Sequence, residues 1–394
     1  MRILIAVIGS AGDLNPRMAI GRELLQRGHT VTVATHADYR KAVHAAGLPF
    51  REIRPETMKV ANAKTLFEDG LLDPALANSL MTQLGATFDD LLACCADVDL
   101  ILSSDAVMPA GLVAFARSMP WVHTVITPAA ISLDSSSVDD RGRVAELIRN
   151  RTRALAALCR ARGISPAAML LKPTAVLALF SPVMLENGTP RAPNFHTVGF
   201  SFYEGEELDL DAALVDFLDA GDPPVVFTFG SASSVAAEAF YRVSHLAAES
   251  LGLRTVFLGG DGFAALATRH NSPTDRLFVG TNAPYSKVFE RAQVIVHHGG
   301  IGTIARALLA GVPMVITPFF VDQPYNAAQA QRLGVARLLP RERYTVDSLA
   351  EELGAVLTDR HYAQRARQLS DAISSEDGAV AASRIVETFG AIVR

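Results

Sequence analysis

The stretch VIVHHGGIGTIARALLAGV, residues 294–312, decides how this chain folds. Its apolar start, 294–296, runs into a glycine cluster and reads as a buried strand. His297-His298-Gly299-Gly300-Ile301-Gly302-Thr303 then opens an alanine- and leucine-rich helix. Glycine has no Cβ, so the backbone there can come close to a ligand. The first amides of a helix lack intrahelical partners and sit at the positive end of its dipole. Together these features make an anion site, typically for phosphate. A histidine and a threonine hydroxyl at its lip add two donors. The competing reading is a plain strand-to-helix turn whose glycines serve packing.

The next stretch favours the ligand. Gly311-Val312-Pro313 leads into another apolar strand, which ends in Phe319-Phe320-Val321-Asp322-Gln323-Pro324-Tyr325-Asn326. An Asp-Gln pair just past a strand's C-terminal end can hydrogen-bond several hydroxyls at once. Ligands of open parallel sheets lie at that edge. Phosphate donors and hydroxyl partners one βαβ unit apart point to a nucleotide-sugar.

Working outward, residues 3–8 form a first buried strand and 9–15 a turn. Pro16 suits the first turn of a helix, which runs to about Gln26 and ends at Arg27-Gly28-His29 with Gly28 as its C-cap. Residues 31–34 are a second strand, 37–46 a second helix and 49–53 a third strand. Residues 100–103, 121–126 and 176–180 continue the series. This alternation predicts a parallel sheet covered by helices. Residues 54–90 and 128–172 are long and less regular, the kind of insertion that forms pockets at a sheet's ligand edge. Composition shifts over 199–224, where an acidic run and Gly221-Asp222-Pro223-Pro224 read as a connector. A second βα series follows, with strands at Val225–Thr228, Thr255–Leu258, 277–279, 294–296 and Met314–Ile316. The last stretch is an amphipathic helix.

A chain of 394 residues predicts two domains, and 49% hydrophobic content supplies two cores. A net charge of -5 without a long basic stretch argues against a nucleic-acid partner. Cys94, Cys95 and Cys159 show no metal-ligand spacing and fit a reduced cytoplasmic compartment. The opening MRILIAVIGSAGD has features of a short signal peptide. The strand reading is preferred, because the run is short and an acidic residue and helix pattern follow at once. No stretch approaches the roughly 20 apolar residues of an integral membrane span. Peripheral association through an apolar patch stays compatible.

With these residues in place, the chain resembles the nucleotide-diphospho-sugar glycosyltransferases of the GT-B fold, family 1. It is most similar to the bacterial branch that includes antibiotic and sterol glycosyltransferases and the rhamnosyltransferase of rhamnolipid synthesis. The anchors are Gly9-Ser10-Ala11-Gly12-Asp13, Arg27-Gly28-His29, Phe229-Gly230-Ser231, His298-Gly299-Gly300-Ile301-Gly302-Thr303 and Asp322-Gln323. Each alone is weak; all five in this order span nearly the whole chain. The rhamnosyltransferase likeness is looser, resting on GSAGD, HxGGIG and the layout.

The resemblance implies an α/β fold of two facing Rossmann-like domains with parallel sheets and an interdomain cleft. The implied layout is an acceptor-binding domain over 1–203, a connector over 204–222 and a nucleotide-sugar-binding domain over 223–374. A terminal helix over 375–394 crosses back to the first domain. The implied reaction is an inverting transfer without metal or other cofactor. The donor is a UDP- or dTDP-linked hexose or deoxyhexose as co-substrate. The acceptor is a hydroxyl of a small hydrophobic molecule, lipid-like, polyketide or sterol. The donor diphosphate would rest on Ser231, His298, Gly299, Gly300, Gly302 and Thr303, with Asp322 and Gln323 on the sugar hydroxyls. Asp13 stands where this branch places its general base. A carboxylate is a weak base toward an alcohol near pH 7, so the proton must leave late unless the pocket makes the group more basic. Asp13 is also suited to a helix N-terminus, the competing reading. Ser10 and Gly12 shape its turn and can approach the diphosphate.

Three departures bear on specificity. Arg306 stands where plant relatives carry the Glu that holds the ribose, which makes a dTDP-sugar as suitable as a UDP-sugar. Asn282 replaces the base-stacking aromatic, leaving backbone contacts from Ala283. No histidine occupies the Asp13 turn, so the plant-type His/Asp dyad is absent; Asp105 is a candidate neighbour. Asp97-Val98-Asp99 and Asp209-Leu210-Asp211 read as solvated turns, His297 as a packing or interdomain residue and His29 as structural. For His123 and Trp121, core packing is favoured over acceptor contact. Met58, Phe67, Met81 and Met108 are candidates for an apolar acceptor pocket or for ordinary core. Two other functions fit the same fold. One is a nucleotide-sugar epimerase, which would need more carboxylates around the sugar. The other is a non-catalytic activator of another transferase, against which intact Asp13, His298, Asp322 and Gln323 argue.

Overall fold

A computed structural model describes the chain except residues 56–73, 131–137, 187, 190, 204, 206–208, 230–232, 260–271, 281–282, 320–321 and 392–394. The described residues divide into two units. One is built from the chain before residue 207 together with Glu376 onward, the other from Glu207–Ser375. Each is a parallel sheet between helices, the α/β architecture the alternation predicts.

The first unit holds strands β1 (Arg2–Ala6), β2 (Thr30–Thr35), β3 (Phe50–Glu52), β4 (Leu100–Ser104), β5 (Trp121–Val125), β6 (Ala175–Ala178) and β7 (Phe195–Thr197). They pair in parallel in the order β3-β2-β1-β4-β5-β6-β7. Alternate residues of β1 serve opposite faces. Ile3 and Ile5 pack with Met18, Leu24 and Val386 on one side; Leu4 and Ala6 pack with Phe88, Leu91 and Leu112 on the other. Both faces are covered, so the central strands are apolar throughout. Strand addition reverses between β1 and β4, so the loops after these two strands flank the crevice where ligands bind such sheets.

The second unit contains β8 (Val225–Thr228), β9 (Thr255–Leu258), β10 (Leu277–Gly280), β11 (Val294–His297), β12 (Met314–Ile316) and β13 (Ala336–Leu338). Their order is β10-β9-β8-β11-β12-β13, all parallel, with the reversal between β8 and β11. The glycine turn of residues 298–300 therefore leaves the sheet at its reversal point.

Four features differ from the sequence expectation. First, the helix after β1 begins at Ala11, not at Pro16. Ser10 caps it, and Asp13 stands in its first turn, so the 9–15 stretch is mostly helix. Second, β7 and β13 carry the short sequences FHT and ARL, with no apolar run to announce them. Third, the expected 204–222 connector contains a helix, Ala212–Asp219. Asp211 caps it through Ala213 N–H at 2.8 Å, and it buries Leu214, Phe217 and Leu218. Fourth, the expected terminal helix spans Gly378–Thr388 and is shorter than the 375–394 stretch. It packs on the helix Ala11–Gln26 within the first unit. Glu387 receives Arg27 Nη1 and pairs with His29 Nε2, both at 3.1 Å, which gives His29 a structural task.

Candidate active-site residues

In the second unit the helix Ile301–Ala310 starts directly behind the glycine turn, with Gly300 as its N-cap. The amides of Ile301 and Gly302 hold its first positions and have no intrahelical acceptor. Gly302 is exposed, and nothing lies within 4 Å of where its Cβ would be. Thr303 is buried. The amide of Gly299 is spent inside the protein: it donates to His297 Nδ1 at 3.0 Å. Gly299 has φ +90, and a Cβ would meet the Gln323 carbonyl and Ile316 at 3.1 Å, so only glycine serves there.

The two histidines have different tasks. His297 is fully buried, and burial holds its pKa well below the usual value. With Nδ1 accepting from Gly299, its proton sits on Nε2, and the ring braces the turn. His298 lies across Gly300, with Nε2 2.7 Å from where a Cβ would stand. Its Nδ1 has no hydrogen-bond partner among the described residues. Burial takes its pKa from 6.5 to about 4, with the Thr228 backbone opposing. A neutral imidazole with an unsatisfied nitrogen beside free helix amides suits an anionic oxygen. The sign of the pH effect follows from the depressed pKa. The stability tied to a neutral His298 is complete above about pH 6.5 and is lost as pH falls toward 4; His297 acts in the same sense. The melting temperature is expected to fall over that window, and His298→Gln to flatten part of the fall. An unchanged profile in that variant would show that His298 has the same pKa in the folded and unfolded chain.

Asp322 is the N-cap residue of the helix Gln323–Arg332. Its Oδ2 accepts from Asn326 Nδ2 at 2.7 Å. Gln323 is buried, and its side-chain oxygen accepts from Phe319 N–H at 3.0 Å, so that atom is committed to the backbone. Ala283 is half-buried just before the helix Tyr285–Phe289. Ser231 and Asn282 lie outside the described residues.

In the first unit Asp13 sits at the reversal point, after β1. Its Oδ2 accepts from Ser10 N–H at 2.8 Å and from the Ser10 hydroxyl at 3.0 Å. No described residue bonds its Oδ1. Gly9, at φ +143, has no Cβ because one would stand 2.3 Å from Asp13 Oδ2. Gly12 is exposed on the first turn. Ser10 and Gly12 thus belong to the first unit, and the other described donor candidates to the second.

Two side chains that brace the candidates, and one pairing between residues already singled out, went unread in the sequence. Arg17 is fully buried below Asp13. It donates to the Asp13 carbonyl at 2.6 Å, to Thr124 Oγ1 at 2.7 Å and to the Thr124 carbonyl at 2.8 Å. Arg17→Met would leave these acceptors unmet and is expected to cost about 1–3 kcal/mol of stability, read from the urea midpoint; an unmoved midpoint would show no net contribution. Asn326, fully buried, donates to both Asp322 and the Gly299 carbonyl, the latter at 3.3 Å. Each lies four residues beyond an acidic candidate, a helical spacing that could have flagged both. The third is a His–Asp pair that does exist, though not on the Asp13 turn. His123 Nε2 lies 2.7 Å from Asp105 Oδ1, the two side chains being 16% and 46% exposed. His123 thus has a polar partner as well as its packing, while Trp121 donates to Ser103 Oγ at 2.8 Å.

The other acidic pairs have partners within the protein. Asp99 accepts from Arg2, and Asp209 pairs with Lys287 at 3.3 Å. Met108 is half-buried against the core beside Leu112. Met58 and Phe67 lie outside the described residues, as does the side chain of Met81. Among the described residues no helix is long and apolar enough to cross a membrane.

The C-terminal domain model of erythromycin biosynthesis protein CIII-like proteins matches residues 270–387, and the N-terminal domain model of glycosyltransferase family 28 matches 3–92. An O-mycaminosyltylonolide 6-deoxyallosyltransferase of Streptomyces fradiae is 29% identical, over 98% of this chain and 97% of its own length. A sterol 3-beta-glucosyltransferase of Arabidopsis thaliana is 26% identical over 97% of this chain, which spans only 64% of that protein. In fold, the calicheamicin glycosyltransferase CalG4 superposes with a TM-score of 0.76 at 20% identity, covering 98% of both chains. The spinosyn rhamnosyltransferase SpnG complexed with thymidine diphosphate gives 0.75 at 19%, covering 98% of this chain and all of the other.

Proposed function

The chain belongs to the GT-B glycosyltransferases, and from that premise we propose that it is an inverting, metal-independent hexosyltransferase with Asp13 as general base. The donor in this reading is a UDP- or dTDP-linked hexose or deoxyhexose. The acceptor is a hydroxyl of a small hydrophobic molecule, of macrolide, sterol or lipid-like type. The names of the relatives support that class: one is an O-mycaminosyltylonolide 6-deoxyallosyltransferase, another a sterol 3-beta-glucosyltransferase.

The observation that carries the reading is the Asp13 carboxylate. One oxygen is fixed by Ser10, and the other is left for a ligand at the sheet's reversal point. In the transfer, Asp13 accepts the acceptor's hydroxyl proton as that oxygen bonds to the sugar's C1. The C1–O bond to the diphosphate breaks on the opposite face, and the leaving oxygen keeps the electron pair, so configuration inverts. Charge that grows on the diphosphate meets the Ile301 and Gly302 amides and His298. No step calls for a metal.

Thermal-shift titration with UDP, dTDP, GDP and their glucose and rhamnose conjugates tests the donor half. A ligand that binds only the folded state raises the melting temperature. A larger shift with dTDP-sugars supports a donor site relaxed at the ribose by Arg306; a shift with UDP-glucose alone refutes that relaxation. No shift with any nucleotide would overturn the donor site.

A further inference from the structure

Between the glycine turn and the Asp322 turn stands one side chain that touches both. Asn326 is fully buried, and its Nδ2 donates to Asp322 Oδ2 at 2.7 Å and to the Gly299 carbonyl at 3.3 Å. The turn has a second, separate brace, the Gly299 amide on His297 Nδ1 at 3.0 Å. Gly299 thus has its N–H held from β11 and its C=O from the helix Gln323–Arg332. Asp322 Oδ2 accepts a bond from that same helix, one turn on.

We infer that Asn326 is a positioning residue that registers the sugar-reading carboxylate of Asp322 against the diphosphate turn, so that the two halves of a nucleotide-sugar are read at a fixed separation. The inference rests on the donor site proposed above.

The chemistry explains the residue type. The task needs two N–H bonds from one nitrogen to two acceptors, a carbonyl and a carboxylate. Aspartate has no donor when ionised and would repel Asp322. Leucine matches asparagine in size and has none. Serine has one hydroxyl hydrogen and can serve only one acceptor at a time. Losing Asn326 removes its bond from the Asp322 carboxylate but leaves the turn braced by His297. Losing the His297 acceptor strands the Gly299 amide but leaves Asp322 held.

The two braces therefore predict different losses, read by calorimetric titration with UDP and dTDP, UDP-glucose and dTDP-rhamnose. Asn326→Leu is expected to weaken binding of the preferred nucleotide-sugar by about tenfold, and of its free nucleoside diphosphate by less than about threefold. His297→Phe is expected to weaken both ligands by the same factor. In an Asp322→Ala background, Asn326→Leu should cost the sugar conjugate no more than it costs the free nucleoside diphosphate. A merely structural asparagine would lower both affinities alike, or act additively with Asp322→Ala, and either result overturns the inference. Should Asn326→Leu not fold, Asn326→Ser carries the same test with an intermediate loss expected. Wild-type protein that binds none of the four ligands would overturn the donor site, and this inference with it. Wild-type binding with equal losses would overturn only the inference.

Discussion

Asp13→Asn is expected to lower kcat by about 10²–10⁴-fold while donor affinity stays within about twofold of the wild type. The geometry makes this substitution selective. Asp13 Oδ2 accepts two bonds from Ser10, and an asparagine carbonyl can accept the same bonds. What changes is the other position, where an oxygen that could take a proton becomes an NH₂ that already carries two. The cap is kept and the base is removed. Asp13→Ala removes both, and the capping contribution of such a residue is about 1 kcal/mol. The pair of variants therefore separates the two roles the sequence leaves open. If Asp13 only caps the helix, Asp13→Asn turns over like wild type and Asp13→Ala merely melts earlier. If it is the base, both lose turnover, and only the alanine variant loses appreciable stability. Initial rates with saturating donor, together with melting curves, decide between them.

Gly299→Ala and Gly302→Ala should affect the donor site in ways that stability alone would not reveal. At Gly299 an added methyl group is strained by φ +90 and meets the Gln323 carbonyl at 3.1 Å. The expected cost is about 1–3 kcal/mol of stability, with donor affinity falling at least about tenfold as the turn shifts. At Gly302 the backbone is helical and nothing lies within 4 Å of the new Cβ. There alanine should stabilise the fold by about 0.5–1 kcal/mol. If the diphosphate rests against this turn, the same methyl group occupies its space and weakens binding. A variant that melts later and binds the donor less well is hard to explain unless a ligand lies at Gly302. Unchanged affinity in Gly302→Ala would move the diphosphate elsewhere, and unchanged affinity in Gly299→Ala would mean that the turn is not its seat.

The sequence determined the two βα series, most of the strands and the glycine turn, because these are local signals. A buried parallel strand must be apolar on both faces, and a turn that passes close to a neighbour must be glycine. The run from His298 to Thr303 carries its meaning in the chain itself, and so does the Asp322-Gln323 pair at a strand's end. Strands FHT and ARL had no such signal, being made by pairing at a sheet edge rather than by composition. Where the first helix starts was also hidden: Pro16 suggested a later beginning, while the Ser10–Asp13 bonds set it at Ala11. Only the tertiary structure could decide which side chains bond to the candidate site residues. Arg17 and Asn326 carry no signal of their bonds in sequence, nor does the pairing of His123 with Asp105; the partners lie on other elements, the Thr124 carbonyl, the Gly299 carbonyl and Asp105. A buried polar group must find its hydrogen bonds wherever the fold brings acceptors, and that is a property of strand order and helix packing rather than of neighbouring residues.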